Sequence, residues 1–173
     1  MPNYRRYRLP GGTWFFTVNL LERRDNDLLI REIDLLRVCV ARERARRPFE
    51  IVAWVVLPEH MHWIWRLPEG DTDYPTRWRR IKTDLSRSLQ RTERRSSVRI
   101  RRGERGIWQR RYWEHAIRDG MDMRHHIDDI HYNPVKHGYV ERPVDWPHSS
   151  FRRYARMGLY PIDWGGPPVY PCL

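Results

Sequence analysis

The longest uninterrupted apolar stretch, "IVAWVVL" (residues 51–57), gives way at Pro58-Glu59 to strict alternation in "HMHWIWRL" (residues 60–67). The first segment reads as a strand buried on both sides. In the second, Met61, Trp63 and Trp65 point one way, and His60, His62 and Ile64 the other. The two-residue link leaves room only for an antiparallel hairpin joining strands at 50–57 and 60–67. Upstream, "GGTWFFTVNLL" (residues 11–21) follows a Gly-Gly turn and is rich in β-branched and aromatic residues, so it predicts another strand. Between them, Ile33, Leu36 and Val40, with Leu35 and Cys39 alongside, mark a helix over 31–46 that Pro48 ends.

Trp78, Ile81, Leu85 and Leu89 form the apolar stripe of a helix over about 74–91, with Asp73 as N-cap and Pro75 in its first turn. Residues 92–106, "TERRSSVRIRRGERG", are polar and basic and read as a flexible loop. "IWQRRYWEHAI" (107–117) returns to a strand-like pattern. A helix follows from Asp119 to about Tyr132, its apolar face Met123, Ile127 and Ile130, and it should stop before Pro134. One more short helix is expected near "SSFRRYARMG". The order strand, helix, strand, strand, helix, strand, helix predicts a single α+β domain over 1–173. The expected architecture is a ferredoxin-like antiparallel sheet with helices packed on one face. A basic arm (about 1–10) and a Pro/Trp-rich tail (about 141–173) flank the core.

Charge changes this picture from a fold to a class of partner. The 33 basic and 22 acidic residues leave +11, alongside nine tryptophans and nine tyrosines. Basic charge with interleaved aromatics points to nucleic acid, single-stranded in particular. Arg77, Arg79, Arg80 and Lys82 on the second long helix are candidate DNA contacts, as are Trp108, Arg110 and Arg111 beside the fourth strand, Trp14 on the first, and Arg5, Arg6 and Arg8 in the arm. The competing reading makes Trp14 and Trp108 ordinary core and the arm solvated charge. Cys39 and Cys172 have no metal or disulfide spacing, no apolar h-region follows the first arginines, and no run nears the roughly 18–20 residues of a membrane span. A cytoplasmic protein is expected, with no membrane association, no nucleotide cofactor, and monomer preferred over dimer.

His60 and His62 fall about 7 Å apart along the strand. A bare His-x-His is more often two surface histidines than a site. What raises it is the segment "MRHHIDDIHYNPVKHG", where His125, Asp129, Tyr132 and Asn133 lie on one side of a helix and Asn133 can hang an amide over the imidazoles. Imidazole with oxygen and no thiolate suits Mg²⁺ or Mn²⁺. His115, His126, His137 and His148 are read as structural.

"NYRRY", "GGTWFFTVNL", "RPFEIVAWVVLPEHMHWIW", "LPEGD", "RWRRIK", "IWQRRYWEHAIRD" and "HYNPVKHGYV", in this order, resemble the REP-associated tyrosine transposases over about residues 3–165. These belong to the HUH single-strand endonucleases and are related to single-tyrosine insertion-sequence transposases. The resemblance implies metal ligation by His60, His62 and Asn133 with Mg²⁺ or Mn²⁺. It also implies cleavage of single-stranded DNA at the foot of repetitive extragenic palindrome hairpins through a 5′-phosphotyrosine. One departure stands out: four residues before Asn133, where the family carries its tyrosine, this chain has Asp129, and the nearest phenol is Tyr132. Three readings follow: a DNA-binding relative that does not cleave, a nucleophilic role taken by Tyr132, or an altered position. From other classes, a non-catalytic nucleic-acid-binding regulator and a small metal-dependent phosphoesterase remain rivals.

Overall fold

The computed structural model of the protein describes residues 9–93 and 95–166. The elements run β1 (Thr13–Asn19), α1 (Leu28–Arg31), α2 (Ile33–Arg46), β2 (Glu50–Val56), β3 (His60–Arg66), α3 (Tyr74–Ser88), α4 (Ser97–Arg101), β4 (Trp113–Ala116), α5 (Gly120–Lys136), a 3₁₀ turn (Pro143–Asp145) and α6 (Phe151–Arg156). The sheet is antiparallel throughout in the order β2-β3-β1-β4, the ferredoxin-like arrangement.

Alternation along the central pair sorts the core into two layers. Trp14, Phe16 and Val18 of β1 and Met61, Trp63 and Trp65 of β3 face α2 and α3, where Leu36, Cys39, Val40, Trp78, Ile81 and Leu85 meet them. Trp65 stacks on Trp78 at 4.1 Å, and Phe16 packs edge-on to both. The opposite face carries Phe15, Ala53, Val55 and Ile64 and is covered by Ile130 of α5, with Met123 and Ile127 beside it. Helices therefore lie on both faces rather than one. The apolar run of β2 and the aromatics at consecutive positions of β1 require cover on each side. The C-terminal segment pairs with the outer edge of β2: Val56 N–H donates to His148 O at 2.8 Å and Ser150 N–H to Trp54 O at 2.9 Å, blunting an open strand edge.

Three boundaries differ from the sequence reading. The segment 92–106 is not a bare loop. It contains α4, and Arg105 clamps it by donating to Glu93 Oε1 at 2.6 Å and to the Leu89 and Gln90 carbonyls at 2.7 Å. Only Trp113–Ala116 of the expected strand at 107–117 joins the sheet, with a single bridge from Trp108 to Leu20 ahead of it. Helix α5 runs through Pro134 to Lys136. Proline removes one helical donor, but His137 N–H to Asn133 O (3.0 Å) and Tyr139 N–H to Pro134 O (2.9 Å) close the last turn around it.

Two expected DNA contacts are instead core. Trp14 is 1% exposed and packs on Tyr74 at 4.6 Å, because its strand parity aims it between the sheet and α3. Arg77, also 1% exposed, donates to both Asp71 oxygens (3.1 and 2.6 Å) and to the carbonyls of Arg47, Pro48 and Asp73. It ties the start of α3 to the end of α2. Arg79, two residues on, is exposed. Urea unfolding should separate the two arginines: Arg77→Ala, which strands Asp71 and three carbonyls, should cost about 3–5 kcal/mol, and Arg79→Ala no more than about 0.5 kcal/mol. Equal losses would show that the buried network is not what holds this corner.

Candidate active site and nucleic-acid groove

β3 presents His60 and His62 on the α5 face, opposite Asn19 and Thr17 of β1. The rings are 5.1 Å apart and nearly perpendicular. His60, 3% exposed, uses Nδ1 to donate to Glu59 Oε1 at 2.9 Å. Glu59 is itself buried at the hairpin turn and accepts from Arg23 (3.1 Å) and the Tyr139 hydroxyl (3.4 Å). His62 Nδ1 lies 2.9 Å from Thr17 Oγ1. With both Nδ1 atoms engaged, each Nε2 is without a hydrogen bond among the described residues. The Glu59 carboxylate, an acceptor only, fixes the His60 tautomer that offers Nε2 as a ligand, and the Thr17 hydroxyl, donor or acceptor, orients the His62 ring.

Burial is the main reason His62 titrates at about 3, with the neighbouring imidazoles of His60 and His137 and the cations Lys136 and Arg23 adding to it. Burial also lowers His60, against the opposing pull of Glu59. Burial alone would raise Glu59, but His60 and Arg23 overcome it and hold the carboxyl below its ordinary value. At neutral pH the pair is therefore two uncharged imidazoles backed by a carboxylate.

On α5, Asn133 is 7% exposed, and its Oδ1 is buried with no hydrogen-bond partner among the described residues. A buried orphan carbonyl oxygen normally costs about 1–3 kcal/mol. Two neutral nitrogens and one such oxygen fit a hard-to-borderline divalent ion. One turn on, His137 places its ring 5.1 Å from that of His60, so a histidine read as structural stands beside the pair. Asp129, one turn before Asn133, is exposed on the rim and has no ion pair or hydrogen bond among the described residues. His125 is exposed as well. Tyr132 turns away from Asn133. Its ring meets Trp164 edge-on at 6.3 Å, and a Cβ on Gly166 would come within 2.5 Å of it, so the C-terminal segment covers the phenol.

A second cluster joins β4 to α5. Asp122 Oδ2 accepts from His115 Nε2 at 2.8 Å and from the Arg118 backbone N–H at 2.9 Å, and its Oδ1 lies 3.2 Å from His126 Nδ1. One potential ligand atom from each of His115, Asp122 and His126 lies within 4.8 Å of the others, so these three could also hold a metal ion. Although burial opposes it, the Arg118 N–H and His115 hold the Asp122 carboxyl far below its ordinary value. The Asp-x₃-His spacing on one helix face was the available signal for this cluster.

Beside the sheet, α3 and the 103–112 segment enclose an open groove of about 700 Å³ lined by Arg79, Lys82, Arg87, Trp108, Arg110 and Tyr112, among others. Trp108 is half-buried and donates its indole N–H to Lys82 O (3.2 Å) and Ser86 Oγ (3.1 Å), which leaves its ring on the groove wall. Lys82 Nζ donates to Gln109 O at 2.7 Å. Arg110, exposed, is paired with Glu104 at 3.1 Å, and Arg111 is exposed. Arg80 is half-buried and lies outside the groove lining. Arg5, Arg6 and Arg8 lie outside the described residues. No helix among the described residues is long and apolar enough to cross a membrane.

No family model matches the chain. It is 52% identical over 166 residues to the REP-associated tyrosine transposase of Escherichia coli strain K12, covering 96% of this chain and 92% of that one. A relative from Haemophilus influenzae is 46% identical over 169 residues, covering 97% and 96%. Among solved structures, a REP-associated tyrosine transposase bound to a REP hairpin superposes with a TM-score of 0.81 at 48% identity, covering 99% of this chain and all of that one. Likeness of this extent reaches from the sheet through α5 to the C-terminal segment, and with it the chain belongs to the REP-associated tyrosine transposases.

Proposed function

We propose that this protein binds hairpin DNA with a single-stranded foot, holds a divalent ion (Mg²⁺ or Mn²⁺) with His60, His62 and Asn133, and forms no stable covalent link to the strand. The observation that carries the reading is the meeting of the His60 and His62 rings with His137 at the end of α5, where Asn133 holds an unpartnered amide oxygen, together with an exposed carboxylate, Asp129, one turn before Asn133. Hairpin binding is supported by near-complete overlap with a relative solved on a REP hairpin. The groove lined by Arg79, Lys82 and Trp108 has the charge and ring surface that a DNA strand needs.

The ion, when bound, supplies Lewis-acid polarisation of a scissile phosphate. The rest falls to the chain. Glu59 and Thr17 orient the two imidazoles, and burial keeps them unprotonated. A phenol extends well beyond a carboxylate and could reach a phosphate held at the site. Asp129 stops short, and its charge opposes the phosphate. Attack by a carboxylate would in any case give a labile acyl phosphate. Tyr132 would have to leave its cover of Trp164 and Gly166 to substitute. The protein is read as acting alone, in the cytoplasm, with no nucleotide cofactor.

Three measurements test this. In calorimetry with Mn²⁺, Glu59→Gln should weaken binding about 10-fold through misorientation of His60, and His62→Ala should weaken it further. An affinity unchanged by both would remove the metal assignment. Binding of a hairpin with a single-stranded foot should exceed that of a blunt duplex and fall with salt at a log–log slope of roughly −0.7 to −0.9 per phosphate contacted. Arg79→Ala should flatten that slope by about one contact, and a salt-independent affinity would rule the DNA reading out. Finally, Asp129→Tyr with Mn²⁺ should create a covalent adduct on a footed hairpin that the unaltered protein does not form. If the unaltered protein forms one and Tyr132→Phe abolishes it, Tyr132 is the nucleophile instead.

A further inference from the structure

Of the nine tryptophans, eight are buried or half-buried, and Trp113 alone is exposed, at 55%. Its place is not incidental. Trp113 pairs with Thr17, and Thr17 pairs with His62, so the three side chains form one row across β4, β1 and β3 on a single face of the sheet. Two strand spacings put the indole's backbone about 10 Å from that of His62. The contact between Trp113 and Phe15, 5.6 Å ring to ring, confirms the shared face.

The indole is also backed by a rigid column. It lies over His115 at 5.8 Å and 8° from parallel, and His115 lies over His126 at 4.8 Å and 16°. His115 cannot swing away, because its Nε2 is held by Asp122 at 2.8 Å. Asp122 is in turn held by the Arg118 N–H and capped at its own N–H by Asp119. The indole thus has a fixed imidazole beside it along the strand and stands 55% exposed. A ring flanked in this way has less freedom to lose when something flat is laid on it. Arg118, with a side chain 76% exposed, stands at the end of the column. In a chain of net charge +11 this favours a flat group carried on an anionic backbone over an apolar protein surface.

We infer that Trp113 is a stacking platform for an unpaired nucleobase of the single-stranded foot, beside the nucleotide whose phosphate lies at His60 and His62. This rests on the hairpin-binding reading above and adds a residue that recognises the foot rather than the stem. Stacking on an aromatic face tolerates any base, so the platform would hold the strand without reading its sequence. The column of His115, His126 and Asp122 then acts as a positioning element, with its imidazoles braced rather than exposed to ligand.

The test is a titration of labelled hairpins, with and without the single-stranded foot, at fixed salt, using the full chain, Trp113→Ala and Trp113→Phe. Trp113→Ala should weaken the footed hairpin about 10-fold, the size of one lost base stack. It should leave the footless hairpin within about 2-fold and the salt slope unchanged, and Trp113→Phe should restore most of the loss. An abasic nucleotide scanned through the foot should cost the unaltered protein affinity at one position and cost Trp113→Ala nothing there. Should Trp113→Ala bind the footed hairpin as well as the unaltered protein does while the foot preference persists, the platform is refuted and hairpin binding stands. A loss shared equally by footed and footless hairpins, or a change confined to self-association in sedimentation, also refutes it. If the unaltered protein binds no hairpin at all, both readings fall together.

Discussion

The antiparallel pairing of β1 with β3 governs nearly everything else. β1 lies between β3, which carries His60 and His62, and the edge strand β4, and its alternation decides what each face holds. Its even positions enter the aromatic layer, where Phe16 is locked among Trp65, Trp78, Tyr74 and Tyr112. Its odd positions carry Phe15 and Thr17 to the other face, against His126 and His62. A slip of one residue would exchange the two sets. The aromatic cluster on the far side therefore fixes the register of the histidines, even though it touches no ligand.

The same burial that builds the core tunes the site. His62 lies deep enough that protonation is unfavourable down to about pH 3, so the imidazole is available as a neutral donor across the working range. Glu59 remains charged because His60 and Arg23 pair with it. The result is one carboxylate behind two neutral rings, with the α5 amide oxygen of Asn133 having no partner among the described residues. A cation held there, as proposed, would satisfy the oxygen and add positive charge to the site.

Much of this was legible in the chain. Period-2 alternation placed His60 and His62 together, and the two-residue link dictated the hairpin. The stripe of Trp78, Ile81 and Leu85 gave α3. What escaped was decided by tertiary contact. Arg77 reads from the sequence as a DNA contact, and Trp14 reads equally as contact or core. Only the crossing of α3 over the end of α2, and the parity of β1, make them core. Pro134 reads as a stop, yet the turn closes around it and keeps Asn133 helical. Cover on both sheet faces was implicit in "IVAWVVL" and "TWFFTV", whose continuous apolarity no one-sided sheet would need. Glu59 and His137 are adjacent to the recognised ligands in sequence or helical phase, but their roles depend on how the hairpin turn meets the end of α5.

The separation of groove from metal site bears on what the Asp129 substitution can do. The groove is built from α3 and the 103–112 segment, whereas the proposed ligands sit on β3 and α5. A carboxylate at the rim repels a nearby phosphate by roughly 4 kcal/mol at 4 Å in a surface-like dielectric, a cost confined to the phosphate at the site. The charge of Arg79 and Lys82 in the groove, proposed to engage DNA, is untouched by it. On the proposed reading, Glu59, Thr17 and Asn133 serve to position a strand, with binding energy supplied by the groove and any reactivity by the separate face of the sheet that carries His60 and His62.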